Sequence, residues 1–168
     1  MNKQILRTAA LVATLALTLP LAHAQDPASL EAARVNLLGT IPERASVSDE
    51  AMVYIRENFR GKAQRQAAAK YAVIAHKAMA QVTSTGKLDL ELGKQIYASS
   101  DCIAWLFPMG TSDYMKRMTI NGLRETVLNT DERKEAMKRT MALAAEQGHK
   151  RELIPRPESC EAIGVAGS

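Results

Sequence analysis

The chain has 168 residues, 46% apolar and 4% aromatic, with 22 Lys and Arg against 18 Asp and Glu for a net charge of +4. Its length suits one domain with a real core and is too short for two comfortable ones. The charges are interspersed, which argues against the one-sided basic face that nucleic acid requires, and the scarcity of aromatics beside abundant Ala and Met favours packed helices over sheets.

Lys3 and Arg7 precede an uncharged apolar run, Thr8 to Leu21, which ends in Pro20 and the small-residue motif Ala22-His23-Ala24. That order is the one read by an export machinery, so residues 1–24 are expected to be a signal peptide cleaved after Ala24. The run is shorter than the roughly 20 residues a membrane span needs, and Gln25 stands where a lipidated protein would carry Cys. The expected address is therefore periplasmic or secreted, without a stable membrane anchor. Removing Lys3 and Arg7 leaves 20 basic against 18 acidic residues, a net charge of +2 on residues 25–168.

Residues 25–168 are expected to form a single all-α domain of about five or six helices. Asp26-Pro27 can start a short helix carrying Leu30, Ala33, Val35 and Leu37-Leu38, which ends at Gly39 before the linker at Ile41-Pro42. Ser46 to Asp49 offers N-caps for a helix with Met52, Ile55 and Phe59 on its stripe. Lys62 to about Val82 carries Ala67, Tyr71, Ile74, Ala78 and Val82 at helical spacing. Gly61 either separates these two helices or bends one long helix.

Thr83-Ser84-Thr85-Gly86 is a turn, and Leu88 to Leu92 leads into a helix from about Leu90 to Phe107, closed by Pro108-Met109-Gly110. Thr111 or Ser112 then caps a helix with Met115, Met118, Leu123 and Val127 expected on its inner side. Thr130, followed by Asp131 and Glu132, starts the last major helix. Met137, Met141 and Ala144 form its stripe and Gly148 ends it. The tail from His149, with Pro155 and Pro157, is expected to be irregular and to fray at Gly167-Ser168.

Cys102 and Cys160 are the only cysteines. An even count without CxxC spacing in an exported chain predicts one structural disulfide, which would pin the tail across the Leu90–Phe107 helix. With both cysteines so engaged and only His76 and His149 left after cleavage, no zinc site of the usual types can be assembled. His76 is expected on a partly exposed helix flank and His149 at a helix C-terminus. Asp89 with Glu91, and Asp131 with Glu132 and Glu135, fit helix capping better than an acid/base pair. No haem-attachment, phosphate-loop or nucleophile-elbow motif occurs. No catalytic residue, metal or cofactor is therefore expected.

Cys102 to Gly110 gathers the only Trp, one of two Phe and a Met beside the expected crosslink. It is either a core corner in which Trp105 packs on the disulfide, or a rigid partner-binding patch of Trp105, Phe107 and Met109. The basic run Arg56, Arg60, Lys62, Arg65 and Lys70 is expected to be a solvated face. The function expected from these features is a small exported non-enzymatic protein that binds another protein, as an inhibitor, immunity or accessory protein. Two alternatives stand beside it: an exported helical enzyme with a site built from Arg, Lys and Glu, and a small-ligand-binding periplasmic protein. The enzyme needs several cations converging on an inner cleft, whereas most Arg and Lys are expected on outer faces.

Overall fold

A computed structural model describes residues 47–150 and 155–165. The expected signal peptide, the Asp26–Gly39 helix and the terminal Gly167-Ser168 lie outside the described residues. Within them the protein is all-helical: α1 (Asp49–Asn58), α2 (Lys62–Thr85), α3 (Leu90–Trp105), α4 (Asp113–Val127), α5 (Asp131–Glu146) and the single turn α6 (Glu158–Glu161).

Four of the six starts are fixed by a polar side chain on an orphan backbone N–H. Ser48 accepts from Ala51, Asp89 from Glu91 and Leu92, Ser112 from Met115, and Thr130 from Arg133. Gly61 separates α1 from α2 in an extended conformation, so the chain does not form one bent helix there. At the other ends, Gly86 and Gly148 take positive φ, the backbone region glycine enters at least cost. The tail beyond His149 is not wholly irregular, because α6 carries Cys160 onto α3.

Helix α2 is central and packs against α1, α3, α4 and α5, most extensively against α3. The expected stripe of Ala67, Tyr71, Ile74, Ala78 and Val82 is buried, but so are Ala68, Ala72, Ala75 and Met79. The small side chains let neighbouring helices approach from several sides, so α2 keeps only a narrow wet face along Lys62, Gln66, Lys70 and Lys77. The core continues through Ile55 and Phe59, Ile96 and Ile103, Ile120, Leu123 and Val127, and Met137 and Ala144.

Three expected inner residues lie outside. Met52, Met115 and Met118 are exposed. The buried stripe of α1 runs Ala51, Ile55, Phe59, one residue and so about 100° away from Met52. On α4 the stripe is Ile120, Leu123 and Val127, and Met118 lies two residues, about 200°, from Ile120.

The Cys102–Cys160 disulfide is formed, with a Cα–Cα distance of 4.7 Å. Both cysteines are fully buried, and the bridge closes a loop that contains α4 and α5.

Candidate functional site

The segment after Cys102 divides between core and solvent. Phe107 is half-buried and packs against Phe59 at a ring separation of 6.2 Å, with Phe59 in turn edge-on to Tyr54 at 6.4 Å. Buried Gln64 fastens the same turn: its side-chain oxygen accepts from Gly61 N–H at 3.0 Å while its amide donates to the Leu106 carbonyl at 3.0 Å. Trp105, by contrast, is 46% exposed and Met109 is fully exposed. The core-corner reading therefore fails for Trp105, and of Trp105, Phe107 and Met109 only Phe107 packs against the core. Trp105 and Met109 face outward from a corner held by the disulfide, Gln64 and the Phe59–Phe107 contact.

The apolar exposure continues beyond the loop. Tyr114, Met115 and Met118 on the first two turns of α4 are each more than half exposed. Residues 105–118 therefore present five large apolar side chains to water. Solvated hydrophobes are ordinary when scattered, whereas grouped ones on a braced loop and an adjoining helix have the composition of an interface.

A second feature is a partly enclosed pocket of about 100 Å³ between α2, α3, α4 and α5. Tyr71, Ile96, Ile120 and Met137 form its buried floor, with Met141 half-buried beside them. Arg117, Asn121 and Arg124 line its exposed side along one face of α4, and Tyr97 and Ser100 come from α3. Burial pushes the Tyr71 phenol up, and the neighbouring Arg124 guanidinium pulls it back both by charge and as a hydrogen-bond donor. This site was missed in the sequence. Its only signal is the i, i+4, i+7 spacing of Arg117, Asn121 and Arg124 beside an apolar stripe, and nothing local says that α2 brings Tyr71 opposite.

A wider, open groove of about 540 Å³ lies beside α6, lined in part by Lys94, His149, Lys150 and Arg156, with Asp101 and Glu158 among them. Asp101 is 1% exposed, a buried carboxylate with no sequence signature. The Lys and Arg that line the two clefts are themselves exposed, in keeping with the expectation that most of these residues lie on outer faces. Arg133 departs from that expectation: it is buried, and it donates to the Asn129 side chain at 2.6 Å.

His76 lies on no partly exposed flank. It is 5% exposed, with the Val127 carbonyl and the Arg133 guanidinium as its polar neighbours. Burial lowers its pKa to about 4, the Arg133 charge acts in the same direction, and the Val127 carbonyl opposes both. The other expectations on polar residues hold. Asp89 caps α3, Asp131 and Glu132 occupy the first turn of α5, and the basic run from Arg56 to Lys70 is exposed. Among the described residues no group of His, Cys, Asp or Glu could hold a metal ion, and no helix is long and apolar enough to cross a membrane. No family model, curated protein or solved structure matches this chain.

Proposed function

We propose that this protein is an exported, non-enzymatic protein-binding module of the bacterial periplasm or exterior, acting as an inhibitor, immunity or accessory protein through the corner formed by residues 105–118. The observation that carries this reading is the exposure of Trp105 and Met109 on a turn whose backbone is held by buried Gln64 and by the Phe59–Phe107 contact. A braced backbone leaves only side-chain freedom to be lost on docking, and Trp and Met are both enriched in the buried centres of interfaces. Support for the address comes from the Lys3-to-Ala24 pattern and from a disulfide of the kind that persists in oxidising compartments. Affinity capture on the purified chain from an envelope extract tests the proposal. The expected result is a discrete partner retained by the wild type and lost by a folded Trp105→Ala, Met109→Ala variant, and equal recovery on both would overturn it.

The pocket behind α4 favours a second activity compatible with the first, the holding of a small ligand. Its lining of aliphatic side chains with a few convergent polar groups supports that reading.

A further inference from the structure

We infer that the pocket between α2 and α4 binds a small organic anion, a carboxylate or a phosphate ester, held by Arg117 and Arg124 with its apolar part against Ile120 and Met137. This rests on the small-ligand reading above and names the ligand class. The first support is charge. The two guanidiniums lie seven residues apart on one face of α4, about 10 Å along the axis, with the Asn121 amide between them. No carboxylate lines the pocket, and among the described residues neither arginine has an acidic partner. Two guanidiniums on one small cavity repel each other, and an anion between them relieves that repulsion while accepting their N–H groups in pairs.

The second support is the floor. Tyr71 is 4% exposed and reaches the pocket with its hydroxyl beside Arg124, so a polar group is kept where an apolar side chain would pack without desolvation cost. The rest of the floor is aliphatic. At about 100 Å³ the space is several times the roughly 10–15 Å³ that one water occupies on this measure, so it takes a small molecule and not merely a bridging water. A basic rim over an apolar floor with one phenol selects a molecule that is anionic at one end and apolar at the other. A fully hydrated inorganic ion would leave the floor unmatched.

Calorimetric titration of the purified chain near 0.15 M salt tests this, using isobutyrate, phenyl phosphate, inorganic phosphate and neutral isobutyramide as probes. We expect saturable binding of isobutyrate or phenyl phosphate, the stronger of the two distinguishing carboxylate from phosphate, with weaker binding of inorganic phosphate. Arg124→Gln and Arg117→Gln should each weaken binding about tenfold or more, with the helical circular dichroism unchanged. Tyr71→Phe should weaken it by a smaller factor. Binding of isobutyramide as tight as that of isobutyrate would overturn the anion assignment and leave the small-ligand reading standing. Saturation by none of the four probes, or anion binding indifferent to both arginine substitutions, would overturn the assignment outright.

Discussion

Tyr54 reaches across from α1 to α4 because position 122 is glycine. Its hydroxyl donates to the Thr119 carbonyl at 3.0 Å, and a Cβ placed on Gly122 would lie 2.6 Å from the ring carbon that bears that hydroxyl. A ring cannot bend away as a flexible chain does, so Gly122→Ala must displace Tyr54 or part the two helices. We expect a loss of about 1–3 kcal/mol in urea unfolding, despite the better helix propensity of Ala. In a Tyr54→Ala background the same Gly122→Ala substitution should cost little, because the ring that the new Cβ would meet is gone.

Gln64 joins the start of α2 to the end of α3. Gln64→Ala leaves the Leu106 carbonyl and the Gly61 N–H without that partner, at an expected cost of about 1–3 kcal/mol. Trp105 is the only tryptophan, so its fluorescence reports on this corner alone. Its anisotropy should fall in Gln64→Ala while far-ultraviolet circular dichroism stays the same.

The disulfide joins residues 58 apart in sequence, around a loop that includes α4 and α5. The chain-entropy model assigns a loop of this size roughly 4 kcal/mol. Reduction, or the Cys102→Ser, Cys160→Ser pair, should lower the unfolding free energy by an amount of this order, read from urea transitions with and without dithiothreitol.

His76 makes stability depend on pH. Its pKa is about 4 in the fold against an ordinary value of 6.5, so the folded chain keeps it neutral while the unfolded chain takes up a proton. Stability from this group is therefore complete above pH 6.5, falls as the pH drops from 6.5 towards 4, and changes no further below. The difference corresponds to about 3 kcal/mol. His76→Met, of similar bulk and without a titrating group, should flatten the pH dependence of the unfolding free energy over that interval.

The helices and their ends were legible because caps and stripes are local. Ser48, Ser112 and Thr130 sit where hydroxyl residues precede apolar periodicity, and Gly148 follows the last turn of α5. The disulfide followed from counting cysteines. The buried face of α4 does not follow from apolar identity, since Met118 to Leu123 is a five-residue step, about 140° around a helix. His76 was misplaced for a tertiary reason: α2 is covered on several sides, and no local pattern in its alanines tells a central helix from an amphipathic one. The pocket was invisible for the same reason, since Tyr71 and Arg124 meet only once α2 and α4 are packed. Trp105 and Phe107, two residues apart on a turn, were treated as one cluster although the chain points them in different directions.

The central claim is that the 105–118 corner is a docking surface, and site-specific photo-crosslinking in cells that express the full chain tests it most directly. A photoreactive side chain at Met109 should yield one discrete adduct of higher mass, while the same group at Lys138, exposed midway along α5, yields none. No adduct at Met109, or the same adducts from both positions, would contradict the account.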